Sequence, residues 1–495
     1  MPDCRITVAP KLDRGVAWAV SSGLAIGMHE AGRGRAPAFL PADLRPDPQG
    51  GLYQGLYKRL RGFILDGVWP AGTRLPSSRA LAADLKVSRN TAILAVEQLI
   101  ADGWAESRSR SGVYVSAALA AKPDNAAVRS RPAPAELPPL ALQRPATDLF
   151  PAQIWKQLQA AAWAQIEPQR LLTADPAGDL TLRETVARLV CAPRGIRCQP
   201  DQILIVSSAA MAMDLVAATL LRPGDRVVLE DPCRPALRQL LRSRGARICN
   251  LPVDGDGLDT DLLTDAADAR LACVTPLVQF PTGAAMSAGR RAALRQWAQQ
   301  SRGWIVEDDR DAELWFGSDG PPLPLAAEEP ERTILIGSFN RLLFPGLCVA
   351  YLVAPMPIAE RLRSAHATIG ARASLASQLA LQGFIAEGHF TRLLRQRRAA
   401  YAERRLLLSE AIGLPGHSGN GLQLVVPVRP GSAPILAATL AAERLGGADL
   451  DQFSESRRHG DRVLLGLGAP PDQLRACASR LNRILSPALA CESDG

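Results

Sequence analysis

A chain of 495 residues is too long for one ordinary core, and its 47% apolar content is ample for two or three. Nine scattered cysteines without a Cys-x-x-Cys pair, and five histidines with no paired-ligand spacing, argue against a secreted disulfide scaffold and a structural metal site. The formal charge of +8 suits a polyanion such as DNA, and it equally suits an arginine-rich composition with no such partner.

Residues 1–50 read as an N-terminal extension. Within it Gly15 to Met28 (GVAWAVSSGLAIGM) is as apolar as a signal-peptide h-region, yet too short to span a membrane, and it leads toward a DNA-binding pattern. The expectation is a non-exported, cytoplasmic and nucleoid-associated protein, with Met1 and Met28 both open as the start.

Residues 51–118 form the first predicted domain. Leu56, Leu60, Phe63, Ile64 and Leu65 make a helical stripe between Tyr53 and Asp66, with Lys58, Arg59 and Arg61 on the other side. Trp69-Pro70-Ala71-Gly72 breaks that helix. Pro76-Ser77-Ser78 opens a second through Leu85, and Ser88 is placed to cap a third running to about Asp102, with Ile93, Val96, Leu99 and Ile100 facing inward. Two strands around Ser111-Gly112 outline a β-wing. The segment carries nine Lys/Arg against five Asp/Glu. Three helices and a wing suit a major-groove reader, and Arg89 and Asn90 are the side chains that pair bidentately with guanine and adenine.

An alanine- and proline-rich run then predicts a linker over 119–144. From 145 to 486 helices alternate with short apolar strands, at Ile203–Val206, Arg226–Glu230, Leu271–Thr275, Trp304–Glu307, Thr333–Ile336 and Val349–Val353, which predicts an α/β sheet domain. A long charged helix, strands at Gln423–Val426 and Val463–Leu467 and a final helix predict a smaller C-terminal lobe, followed by a tail over 487–495.

The run PAGTRLPSSRALAADLKVSRNTAILAVEQLIADGWAESRSRSGVYV resembles the winged helix-turn-helix of the GntR superfamily. That resemblance implies that Arg79 holds phosphate or base, that Ser88, Arg89, Asn90 and Thr91 meet the major groove, and that Gly112 sits at the wing tip. Ser109-Arg110 replaces the family's Pro-Gly, and Arg110 adds a candidate phosphate contact.

The remainder resembles fold-type I aminotransferases, and the order of the two modules resembles the MocR subfamily of GntR regulators. The landmarks are Asp175-Pro176-Ala177-Gly178, Glu230-Asp231-Pro232, Pro281-Thr282-Gly283, Glu307-Asp308-Asp309 and Gly337-Ser338-Phe339. The resemblance places a pyridoxal-phosphate pocket here, with Asp308 facing the pyridine nitrogen. Its lysine, however, is Arg341, and a guanidinium stays protonated and forms no imine. Lys156 is the last lysine of the chain. Arg310 replaces the tyrosine that meets the ring hydroxyl, Cys348 replaces a phosphate-site arginine, Ser207-Ser208-Ala209-Ala210-Met211 stands in the phosphate cup, Arg234 replaces an aromatic residue and Val278 a histidine.

Three states of the altered pocket follow as alternatives: an internal Asp308–arginine salt bridge, a new anion site on Arg310 and Arg341, or non-covalent pyridoxal phosphate. The expected function is a homodimeric DNA-binding regulator of promoter DNA, not an enzyme, with no covalent cofactor and a small anionic effector as a candidate ligand. Its rivals are an active aminotransferase with an accessory domain, which lacks its lysine, and a ligand-sensing scaffold that no longer binds DNA.

Overall fold

A computed structural model describes residues 51–109, 111–116, 136–142, 144–317, 320–414, 419–456 and 461–489. The extension 1–50, most of the expected linker and Arg110 lie outside the described residues. The chain divides into two compact units, 1–135 and 136–495.

The first unit has α1 (Gly51–Leu65), α2 (Ser78–Asp84), α3 (Arg89–Ala101), β1 (Ala105–Arg108) and β2 (Gly112–Val115). The two strands pair antiparallel, from Ala105 opposite Val115 to Arg108 opposite Gly112. Leu56, Leu60 and Ile64 of α1 meet Trp69, Leu75, Leu81 and Leu99 in one core. Leu65, expected in the buried stripe, is 58% exposed. Burial repeats every fourth residue, and position 65 is turned about 100° from the 56, 60 and 64 line. On α3 the covered positions are Ala92, Ala95 and Leu99, while Ile93, expected inward, is only partly covered. Alanines on the inner face let α1 and α3 approach closely.

In the second unit α4 (Ala152–Gln165) and α5 (Leu180–Arg194) precede an eight-stranded sheet. Its strands are β3 (Ile203–Val206), β4 (Arg226–Asp231), β5 (Arg247–Asp254), β6 (Gly257–Leu258), β7 (Leu271–Val274), β8 (Trp304–Asp308), β9 (Thr333–Ser338) and β10 (Ala350–Val353), in the spatial order β3-β10-β9-β8-β7-β4-β5-β6. Strands β9, β8, β7, β4 and β5 run parallel, and β10 lies antiparallel between β3 and β9. Crossovers use α6 (Ala209–Leu220), α7 (Pro235–Ser243), α8 (Ala288–Ser301) and α9 (Leu325–Glu328). Of the parallel strands, β4, β7, β8 and β9 end at Asp231, Val274, Asp308 and Ser338, so their carboxyl ends form one rim, where open parallel sheets bind ligands. Strands β5 and β6 were not anticipated, because Pro252 and a mixed burial pattern hide the apolar run.

Helices α10 (Met356–Ile369), α11 (Leu375–Ala386) and α12 (His389–Ala411) lead to a three-stranded sheet of β11 (Gln423–Pro427), β12 (Ala448–Asp449) and β13 (Arg462–Gly466), in the order β11-β13-β12, with α13 (Ala433–Ala442) and α14 (Pro471–Leu485). The expected linker gives up its end to this lobe: Leu140 is fully buried, its N–H donates to Leu445 O, and its carbonyl accepts from Gly466 N. The start of the expected tail is likewise structured, since Ala488 O accepts from Arg429 N. On α12, Arg397, Arg404 and Arg405 are buried. Arg397 donates to the carbonyls of Arg341 and Leu343, and Arg405 to those of Gln423 and Gly421. They satisfy their donors on backbone carbonyls, which is how a buried guanidinium is accommodated.

Candidate functional site

In the first unit two serines set the helices. Ser77 Oγ accepts from Ala80 N at 3.2 Å, and Ser88 Oγ accepts from Thr91 N at 3.1 Å and lies 2.8 Å from Thr91 Oγ1. The hydroxyls of Ser88 and Thr91 are therefore engaged with each other, and the cap fixes where α3 begins. Arg79, Arg89 and Asn90 are exposed, with Arg89 and Asn90 on the first turn of α3. Gly112 opens β2 with φ +114°, a conformation that favours glycine, and a Cβ there would lie 3.0 Å from Arg74 Nε. Arg74 bridges to Tyr114, which puts a cation beside the wing that the sequence reading did not single out. A second cation, Arg108, stacks 4.5 Å from the Tyr114 ring and pairs with Glu106. The surface so assembled carries an exposed arginine on α2, another on α3 and basic residues at the wing, the distribution a winged reader needs for phosphates and bases.

At the carboxyl rim of the large sheet, Asp308 closes β8, its side chain largely covered. Arg310 donates to it with both Nε, at 2.6 Å, and Nη2. Arg341 does not join that pair. Its Nε donates to Asp311 Oδ1 at 2.8 Å, and the other oxygen of Asp311 accepts from Arg234 Nη2 at 3.1 Å. Of the alternatives for this pocket, an internal Asp308–arginine pair is present, with Arg310 as the arginine, while the loop after β8 supplies Arg341 with a second acid, Asp311. Arg234 opens α7 and stacks 3.8 Å from the Phe280 ring centre.

The serines are also placed. Ser208 Oγ accepts from Met211 N and caps α6, the Ser207 carbonyl accepts from Asn340 Nδ2, and Ser338, buried at the end of β9, accepts from Asn340 N at 3.3 Å. Asn340 also accepts from Val349 N, so it ties the loop carrying Arg341 to both neighbouring segments. Cys348 is exposed in left-handed backbone with φ +54°.

Charge and burial compete at this rim. Burial would raise the Asp308 carboxyl, but Arg310, backed by Arg234, outweighs it and holds the group below the usual carboxylate range. Arg234 is pushed down to about 9, first by burial and then by the like charges of Arg310 and Arg341. Burial lifts Glu230 to about 7, against hydrogen bonds from Thr275 and Gln279. Behind them Arg194 meets Asp309 through both guanidinium nitrogens, one contact at 2.7 Å, with both residues buried.

The sequence reading missed Asp311 and the Arg194–Asp309 pair, and noted Arg234 only as a lost aromatic. Among the described residues no group of three or more His, Cys, Asp or Glu could hold a metal ion, and no helix is long and apolar enough to cross a membrane.

Comparison with known proteins follows the two units. The family of bacterial regulatory proteins named gntR matches residues 52–115, and the aminotransferase class I and II family matches residues 143–436. The probable rhizopine catabolism regulatory protein MocR of Rhizobium meliloti is 30% identical over 476 residues, covering 90% of this chain and 95% of that protein. The HTH-type transcriptional regulator TauR of Rhodobacter capsulatus is 34% identical over 412 residues, covering 77% and 82%. The crystal structure of a Pyrococcus horikoshii kynurenine aminotransferase superposes with a TM-score of 0.64 at 22% identity, covering 71% of this chain and 91% of that one, which establishes the fold of the second unit. The chain therefore belongs to the MocR-type GntR transcription regulators, in which a GntR helix-turn-helix domain precedes an aminotransferase-like domain.

Proposed function

We propose that this regulator binds promoter DNA as a homodimer through residues 51–118, and that its aminotransferase-like domain is not a catalyst but a dimerisation domain that senses a small anion without a covalent bond. Arg79, Arg89, Asn90, Arg110 and Gly112 are assigned to the DNA interface, with Ser88 and Thr91 fixing the helix start. Arg89 and Asn90 read base edges, and the wing and α2 hold the backbone.

The single observation that carries the second half is the pairing of Arg341 with Asp311 while Arg310 occupies both oxygens of Asp308. Pyridoxal phosphate, which aminotransferase folds normally hold, needs an amine, an acid free to meet its ring nitrogen, and phosphate donors. Here the amine position is a guanidinium and the acid is taken. The residues do not fit that group.

The test is to mix the full chain with pyridoxal phosphate, record the visible spectrum, reduce with borohydride and map adducts by mass spectrometry. No new visible band and no adduct within residues 136–495 is the expected result. A stoichiometric adduct at Lys156, the one lysine of that unit, would overturn the placement of this pocket.

A further inference from the structure

The rim of the large sheet has a surplus of positive charge with a cavity beside it. Three guanidiniums, Arg234, Arg310 and Arg341, face two carboxylates, Asp308 and Asp311. The third acid, Glu230, is directed elsewhere: it accepts from Thr275 N at 2.9 Å, from Thr275 Oγ1 and from Gln279 Nε2. Arg310 has satisfied Asp308, so the surplus falls on Arg234 and Arg341, which share Asp311. Both have donors to spare. Arg234 Nε and Arg341 Nη2 are buried with no acceptor among the described residues. A buried charged donor without an acceptor is costly, and Arg234, lowered first by burial, is lowered further by the like charges of Arg310 and Arg341.

Arg234 also lines a small, partly open cavity, together with Asp308, Arg310 and a wall of Met213, Leu237, Leu240 and Ile336. Ala209 and Ala210 from the first turn of α6 and Ala236 from that of α7 also line it, and the N-terminal ends of helices carry partial positive charge. One end of the cavity is thus cationic by a single net charge, and the rest is apolar. A doubly charged phosphate ester with a polar ring matches neither feature, whereas one carboxylate on a hydrocarbon body matches both.

Resting on the reading of this pocket as a non-covalent ligand site, we infer that it binds a small monocarboxylate with an apolar body. The carboxylate accepts from Arg234, with Arg341 next to it across Asp311, and the body lies against Met213, Leu237, Leu240 and Ile336. The ligand supplies an acceptor to Arg234.

The test titrates the full chain with phenylacetate, with its neutral isostere phenylacetamide and with inorganic phosphate, by thermal shift and calorimetry. Phenylacetate is expected to raise the melting temperature and give saturable heat, and the other two to do neither. Arg234→Gln is expected to weaken phenylacetate by roughly 10- to 100-fold, the loss of one charged hydrogen bond. Ala210→Phe, at an exposed helical position on the cavity wall, decides the matter if Arg234→Gln does not fold: it narrows the cavity and is expected to abolish the response without lowering the melting temperature of the unliganded chain. An unchanged response in Ala210→Phe, or phosphate acting as strongly as phenylacetate, overturns the inference. The outcomes separate the two layers of the argument. A borohydride-fixed pyridoxal adduct refutes the non-covalent reading, while no adduct and no phenylacetate response refutes only the ligand class.

Discussion

Replacing Arg89 with alanine is expected to weaken binding to the specific promoter site by about 1–3 kcal/mol, roughly 5- to 150-fold, and to relax selectivity at one base position. Ser88 and Thr91 lock the start of α3, Arg89 is the first residue beyond the cap, and its exposed side chain leaves the helix where a major-groove reader presents its base contacts. Fluorescence anisotropy against the specific site and a scrambled duplex separates readout from charge. Loss on both duplexes by the same factor would make Arg89 a phosphate contact and remove it from the base-reading set. Equal affinity of variant and parent would remove it from the interface altogether.

The largest stability effect is expected at Arg194. Replacement by methionine leaves Asp309 buried beside Asp308 and Asp311 with its ion pair broken, a change that costs on the order of 3–5 kcal/mol. The loss depends on pH in a defined sense. Burial already raises Asp309 against the pull of Arg194, and without the arginine the carboxyl rises further. A folded-state pKa above the unfolded value favours the folded form only while the group is protonated, and that support is lost as pH rises through the folded value. The deficit of Arg194→Met relative to the parent therefore grows from pH 5 to pH 8, measured by urea unfolding at each pH. A deficit below about 1 kcal/mol that does not change with pH would contradict the buried pair. The double variant Arg194→Met with Asp309→Leu is expected to recover most of the loss, because it removes both buried charges.

What the sequence disclosed and what it hid divide along the range of the interactions involved. Ser77 and Ser88 were legible as caps because a cap is decided within four residues. Strands β7 and β9 were legible because central strands buried on both faces read as uninterrupted apolar runs, and the edge strand β3 reads the same way because all four of its residues are covered. Strand β5 was hidden by Pro252 and by its place near the sheet edge, where only one neighbour and the two-residue β6 cover it. Leu140 was assigned to the linker because alanine and proline surround it, and only the distant Leu445 and Gly466 reveal that it is core. Charged residues misled most. The arginines of α12 were read only as part of a long charged helix, yet three of them are buried against backbone carbonyls contributed by other segments. At the pocket, resemblance to a family located the altered positions, but the partner of Arg341 depended on which acid the loop after β8 turns inward, and Asp311 carries no local sign of that role.

The measurement that bears most directly on the central claim is binding to the DNA upstream of the gene that encodes this chain, by anisotropy over about 50 to 200 mM salt. A regulator of this kind is expected to prefer that fragment over a scrambled duplex by about a thousandfold or more. Its log affinity should fall linearly with log salt as the basic residues of the first unit release counterions from phosphate. Equal affinity for both duplexes at every salt concentration, or retention of neither, would contradict it.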